Sequence, residues 1–337
     1  MQKLFIISNE SVYENNNLFF CDNIDLKSTP EGLEKNFEVY LLARRSKVKR
    51  SHQIKIQNVK IFGSLIFFLK AIIRSLKNNN TNYLLVSISP YTFLACILLR
   101  LFNKKPFIYL RSNGFDEYKI ILGYRGYIVY YFMFFISTSI STNISCRKYI
   151  LRHKKGFVVH PSQLNHRWFE NRKEYNQSKK KLLYVGRMRK EKGIFSLINI
   201  LKDKKDIQLT VVGEEENINM YSQENIQFVK IVNDQDKLIN LYDEHKMFIL
   251  PSFTEGQPMA LLESLSRLRP VVIFNEIDHV IQSRAGIFIS DRNYESLKKT
   301  MRHIDENYEN IQELMKKNKL PTFDNFIDNL SEIILKN

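Results

Sequence analysis

FILPSFTEGQPMALLESLSRLRPVVI, Phe248 to Ile273, is the stretch on which the reading of this chain turns. Phe248 to Leu250 is an apolar run of the kind that fills a buried parallel strand, and Pro251 stops it. A polar loop with Glu255 and Gly256 follows. From Met259 to Leu268 apolar residues recur at helical spacing, and Pro270 ends that helix before a second buried strand, Val271 to Phe274. Strand, loop, helix, strand: this order puts the loop at the carboxyl end of a strand, where open α/β sheets bind ligands. Glu255 lies in the loop and Glu263 inside the helix. At ~1.5 Å rise per helical residue their carboxylates are roughly 10 Å apart, so one pocket can hold both at different ends of an extended ligand. The helix amino terminus between them offers free N–H groups and partial positive charge, which suits phosphate.

This string resembles the Glu-x7-Glu signature of the retaining, GT-B-fold glycosyltransferases of the family 4 type, the glycosyl transferases group 1. Two glutamates at a fixed spacing arise easily by chance, so the resemblance rests on their surroundings. These are Pro251-Ser252, Glu255-Gly256, Pro258, Leu261-Leu262-Glu263-Ser264 and Pro270-Val271-Val272, with a strand on either side. Upstream, the strand Lys181 to Val185 runs into Gly186-Arg187-Met188-Arg189-Lys190-Glu191-Lys192-Gly193, which looks like the family's Gly-Arg…Lys-Gly turn. A leaving diphosphate needs fixed cations. Arg187 supplies a planar fork and Lys192 a compact charge, while Gly186 and Gly193 allow close backbone approach. Gln208 to Gly213 is a further strand, ending in Val-Val-Gly-Glu-Glu where relatives usually carry a second glycine, replaced here by Glu215.

The resemblance implies an α/β GT-B fold, two Rossmann-like doubly wound domains facing a central cleft. It implies a metal-independent, retaining, hexosyltransferase-type enzyme with no cofactor, whose donor is a nucleoside-diphosphate sugar. Arg187, Lys192 and Glu255 would be catalytic. Gly186, Arg187, Lys192, Gly213, Glu255, Gly256, Pro258, Met259, Ala260, Leu262 and Glu263 would bind donor. Glu255 would take the sugar hydroxyls, Glu263 the ribose, and the two cations the diphosphate. Two carboxylates also serve glycoside hydrolysis, but that chemistry holds them ~5–9.5 Å apart across the scissile bond and has no use for a cationic clamp. A nucleotide-sugar epimerase of the same fold and a basic nucleic-acid-binding protein are the alternatives.

In the amino-terminal half, strands are expected at Lys3 to Ser8, Glu38 to Ala43, Ile54 to Ile61, Tyr83 to Ile88, Pro106 to Leu110 and Phe157 to Val159. Helices are expected at Leu65 to Leu76 and Tyr91 to Phe102. Asn9 to Pro30 reads as polar and irregular. Arg111 and Asn113 follow a strand end, where related enzymes often carry a histidine near the sugar, and are acceptor-side candidates. A loop arginine in solvent and a turn Asn-Gly account for them equally well. Gly123 to Ser141 is dense in aromatics, but its apolar core is about half the ~20 residues of a membrane span. A buried helix and a surface that enters the headgroup layer are both open readings. In the carboxyl-terminal half Asp234 to His245 reads as an amphipathic helix, Glu276 to Arg284 and Gly286 to Ile289 complete the sheet, and Tyr294 onward is helical. The expected domains are 1–170 for acceptor, a linker at 171–180, 181–320 for nucleotide sugar, and a terminal helix at 321–337 that crosses back to the first domain.

At 337 residues there is ample core for two domains. The net charge of +16 calls for an anionic partner. Three scattered cysteines fit a reducing compartment, and no signal peptide is visible. The expected setting is the cytoplasm, peripheral on the inner face of the membrane. The expected partners are the donor, a lipid-linked or oligosaccharide acceptor of lipopolysaccharide or capsule type, and the anionic membrane surface, with no nucleic acid.

Overall fold

The computed structural model of the protein describes residues 1–77, 80–173, 182–213 and 223–337. They form two compact units, Met1–Gln163 with Thr322–Asn337, and Leu164–Pro321. The division falls ahead of the segment 171–180 expected as the linker, and residues 174–180 of that segment, like Glu215, lie outside the described residues. Residues up to 173 belong to the second unit because two buried arginines bind their carbonyls, as set out below.

In the first unit one nine-stranded sheet contains β1 (Gln2–Asn15), β2 (Leu18–Cys21), β3 (Phe37–Arg45), β4 (His52–Ile54), β5 (Asn58–Phe62), β6 (Thr81–Val86), β7 (Phe107–Leu110), β8 (Thr142–Ser145) and β9 (Phe157–Val158). Its parallel part runs β5-β3-β1-β6-β7-β8-β9. Alternation along β1 divides the core: Leu4 and Ile6 face one way, Phe5 and Ile7 the other. The first face is covered by α1 (Ile24–Leu33), the second by α2 (Leu65–Ser75), α3 (Pro90–Leu101) and α4 (Gly114–Ser139).

Three expectations for this half are corrected. Asn9 to Pro30 is not irregular: β1 continues to Asn15, turns through Asn16 and Asn17, both with positive φ, and pairs antiparallel with β2. Asparagine tolerates that conformation, so the pair serves as the hairpin turn that a glycine pair would otherwise make. α1 follows, with the Asn23 side chain accepting from the Asp25 N–H at 3.1 Å. The single strand at Ile54 to Ile61 is two, β4 antiparallel on β2 and β5 parallel on β3. Finally, β8 escaped notice because Thr-Asn-Ile-Ser is polar, yet all four residues are buried.

The second unit is a six-stranded parallel sheet of β10 (Leu182–Val185), β11 (Leu209–Val212), β12 (Ile226–Val229), β13 (Met247–Leu250), β14 (Val271–Phe274) and β15 (Ile287–Ser290). Its helices are α5 (Ile194–Ile200), α6 (Gln235–Asp243), α7 (Met259–Ser266), α8 (Tyr294–Glu306) and α9 (Tyr308–Met315). The strand order is β12-β11-β10-β13-β14-β15. That is a doubly wound order whose direction of winding reverses between β10 and β13, the switch point at which such sheets bind ligands. Glu276 to Arg284, expected to help complete the sheet, does not: the chain there makes a 3-10 helix, Asn275–Val280. The last helix, α10 (Phe323–Lys336), packs Phe326, Ile327 and Leu330 into the first unit beside α1, with Lys35 on Asp324 at 3.0 Å.

After α7 the chain carries Arg267 and Arg269, each only 1% exposed. Arg267 grips both oxygens of buried Asp243 at 2.9 and 2.7 Å and donates to the carbonyls of Trp168, Glu170 and Asn171. Arg269 donates to the carbonyls of Tyr242, Asp243 and Lys173. A fork with five donors satisfies several carbonyls at once, which is why arginine rather than lysine stands here. Removing one partner strands a buried charge. Arg267→Leu should therefore lower urea-measured stability by about 3–5 kcal/mol, and Asp243→Leu in the same chain should recover much of the loss. At the other end of the switch point Gly193→Ala should cost more than the ~1–2 kcal/mol of a left-handed alanine alone. The excess comes from its Cβ, which would lie 1.8 Å from the Pro251 carbonyl oxygen. The same denaturation experiment reads it.

Candidate active site

Two turns meet at the switch point. After β10 the chain passes Gly186 and Arg187, makes a 3-10 turn at Lys190–Lys192, and enters α5 through Gly193 at φ +66°. The Tyr184 hydroxyl donates to the Arg187 carbonyl at 2.9 Å, and a Cβ on Gly186 would meet that hydroxyl at 2.9 Å. At the end of β11 a Cβ on Gly213 would lie 2.5 Å from the Gly186 carbonyl oxygen, so close backbone approach requires glycine at 213. The second turn, after β13, runs from Pro251 to Pro258. The Phe253 N–H donates to the Glu191 carbonyl at 3.0 Å and ties the turns together.

Glu255 is 7% exposed. Its Oε1 accepts from Lys192 Nζ at 2.7 Å and from the Ser252 hydroxyl at 2.6 Å, and its backbone carbonyl lies 2.8 Å from His279 Nε2. The sequence placed Lys192 and Glu255 in separate motifs; the fold puts them in contact. Among the described residues the Arg187 guanidinium makes no ion pair and is half-buried. Arg292, which the sequence reading passed over, donates to the Pro251 carbonyl at 2.9 Å, pairs with Glu276 at 2.7 Å and stacks on Phe253 and Phe274. It fixes the second turn from behind.

α7 starts at Met259 with Pro258 at its N-cap and no side chain capping it. Met259 and Ala260 are half-buried, and Gly256 and Pro258 are buried. Leu262 lies wholly in the core, so any donor contact from it runs through backbone alone. Glu263 is held by the Tyr242 hydroxyl, which donates to its Oε2 at 2.8 Å. Burial, and then the Glu263 charge, push the Tyr242 phenol pKa well up, so the hydroxyl stays a donor. Tyr242 reads in sequence as a core residue of α6; its hydroxyl partner lies on another helix and leaves no local signal. Gln257, also missed, is 8% exposed, and among the described residues neither atom of its side-chain amide has a hydrogen-bond partner. An amide so placed is costly until something else partners it.

Arg111 and Asn113, the acceptor-side candidates, lie in the first unit. Arg111 donates to Asn23 and Asp25, each at 3.1 Å, pinning the start of α1. Asn113 is the N-cap of α4, its side chain accepting from the Phe115 N–H at 3.3 Å. Arg111 is therefore not a loop arginine in solvent.

Residues 167–320 match the family model described as glycosyl transferases group 1. The chain is 22% identical over 308 residues to the capsular polysaccharide biosynthesis glycosyltransferase CapM of Staphylococcus aureus, covering 78% of this chain and 79% of that protein. It is 25% identical over 169 residues to an uncharacterized glycosyltransferase of Haemophilus influenzae, and the match spans 45% of this chain and about half, 47%, of that relative. Among solved structures it is similar to WaaG, a glycosyltransferase involved in lipopolysaccharide biosynthesis, with a TM-score of 0.67, 13% identity and coverage of 99% of this chain and 100% of that one. Residues 167–320, which include the two carboxylates and the cationic turn, are thus similar to the glycosyl transferases group 1, and the chain has the GT-B fold.

Proposed function

We propose that the protein is a retaining, metal-independent glycosyltransferase of the family 4, hexosyltransferase type, moving a sugar from a nucleoside-diphosphate sugar to a glycan acceptor. The acceptor is lipid-linked or of lipopolysaccharide or capsule type, and the enzyme works from the cytoplasmic face of the cell membrane. The observation that carries this reading is the contact of Lys192 with Glu255 at 2.7 Å, at the switch point and beside the uncapped start of α7. A cation, a carboxylate and free helix N–H groups within one turn of each other fit a sugar joined to a diphosphate.

In this reading the diphosphate lies against Arg187, Lys192 and the first N–H groups of α7. Lys192, already balanced against Glu255, shares its charge with the incoming phosphate, and Glu255 accepts from hydroxyls of the sugar. Glu263, aimed by Tyr242, accepts from the ribose hydroxyls. The bond from the anomeric carbon to the diphosphate oxygen breaks, the acceptor oxygen bonds to the same face of that carbon, and the acceptor proton passes to the leaving phosphate. Negative charge grows on the diphosphate, where two fixed cations stabilise it without a metal. The Gln257 amide finds its missing partner in the bound donor.

A thermal shift series with UDP, GDP, ADP and CMP tests the donor half. One nucleotide at 100 times its dissociation constant should stabilise by ~2.7 kcal/mol. The shift should vanish in Glu263→Ala; no shift with any nucleotide in the wild type would overturn the reading. Gln257→Leu should melt no lower than wild type, because it removes a buried amide without a partner, while binding of the nucleotide sugar weakens. A lower melting temperature with unchanged donor binding would assign Gln257 a purely structural part.

A further inference from the structure

α4 is apolar on all sides, yet only one side is covered. Tyr130, Met133 and Phe134 are buried against the sheet of the first unit. Opposite them Ile121, Leu122, Tyr124, Val129, Phe132 and Phe135 are each at least half exposed. The helix bends at Gly123, whose φ of +68° is outside the helical range. Among the described residues it is the one helix long and apolar enough to cross a membrane. Its packed face holds it on the unit.

Beside its carboxyl end is a pocket of about 300 Å³ lined by Lys148, Arg152, Lys154, Lys155 and Val158. Lys154 reaches back to the Ser139 hydroxyl at 2.8 Å and sits over the Phe135 ring, which makes pocket and helix face one surface. None of the four cations pairs with a carboxylate among the described residues. The surrounding chain offers few. From Val39 to Phe169 the only acidic residues are Asp116 and Glu117. The positive charge of the protein is concentrated on the unit that carries the exposed helix.

We propose that this surface docks on an anionic lipid bilayer. α4 lies in the plane of the interface with its exposed side chains at the acyl boundary, and the basic pocket holds the phosphate of a lipid headgroup. An apolar stripe with cations at its margin matches the two layers a bilayer presents, hydrocarbon below and phosphate above. A second copy of the chain would bring the same positive charge to the contact. Nucleic acid would take the charge but leave Ile121, Leu122 and Val129 without an apolar partner. This docking rests on the membrane-face reading given above and names the residues that perform it.

The test is co-sedimentation of the full chain with vesicles of phosphatidylcholine alone and of phosphatidylcholine mixed with phosphatidylglycerol. Binding to the mixed vesicles only, weakened by salt, is expected. Phe132→Glu with Phe135→Glu should weaken it at least about tenfold. Lys154→Ser with Lys155→Ser should weaken it about fivefold per lysine. Circular dichroism and nucleotide-induced stabilisation should stay as in wild type, since both pairs lie outside the second unit. Equal binding to both vesicle types, or binding that neither pair of substitutions reduces, overturns the proposal. So does a wild-type dimer that the double glutamate variant splits, because a second copy would then cover the face. Loss of the nucleotide response with vesicle binding intact would overturn the donor reading and leave the docking standing.

Discussion

At residue 193 there is no room for a side chain. The turn after β10 presses against the turn after β13 so closely that a Cβ would fall 1.8 Å from the Pro251 carbonyl oxygen, and the backbone there has φ +66°. Glycine alone meets both demands. This contact sets the register of everything beyond it. Lys192, the residue before Gly193, arrives beside Glu255; Glu191 arrives where its carbonyl accepts from Phe253 N–H. Arg292 closes the arrangement by holding the Pro251 carbonyl from the far side. An ion pair between exposed side chains is worth little, because two long chains must be ordered to form it. Here the backbone contact does the ordering, and Lys192 meets a carboxylate that Ser252 already holds.

The second carboxylate is positioned by different means. Glu263 is on α7, and α7 is fixed at its end by Arg267 and Arg269, whose donors reach Asp243 and the carbonyls of residues 168–173. The same α6 that supplies Asp243 supplies Tyr242, whose hydroxyl aims Glu263. One helix end thus anchors α7 through a buried ion pair and orients the Glu263 carboxylate through a phenol. Burying an arginine is costly unless its donors are satisfied. Six backbone carbonyls and the Asp243 carboxylate satisfy most of what these two offer, and they fix the end of α7.

The sheet of the second unit was legible because its signals agree: short runs rich in apolar residues, closed by glycine after β10 and β11 and by proline after β13, alternate with helical spacing. Where signals conflict, sequence reading failed for identifiable reasons. β8 is Thr-Asn-Ile-Ser, polar by composition, and buried only because Ser141 and backbone carbonyls satisfy Asn143. The hairpin of β1 and β2 hid behind Asn16 and Asn17, which look like loop and serve as a turn. Nothing local marks Arg267 and Arg269 as buried, since charged residues seldom are, and several of their carbonyl partners lie almost a hundred residues upstream. At the site the residue types and turns were legible from the resemblance; Gln257 and the hydroxyl of Tyr242 were not, because an unmet or distant hydrogen bond has no pattern along the chain.

α4 shows the limit of composition most clearly. A helix apolar all round is ordinarily buried all round, and no count of its residues separates that case from one side packed and one side open. The difference lies in its neighbours. Gly114 and Gly126 let the two halves of the helix pack closely, Gly114 against Tyr130 and Gly126 against the Tyr118 carbonyl, with the bend at Gly123 between them. That packing turns Tyr130 and Phe134 inward on the sheet and leaves Phe132 and Phe135 outside. Exposed aromatic rings of this size on a water-facing helix lower stability and solubility unless they meet a partner. Beside them is a basic pocket whose cations pair with no carboxylate among the described residues, and the packing of the fold accounts for the inward half of the helix only.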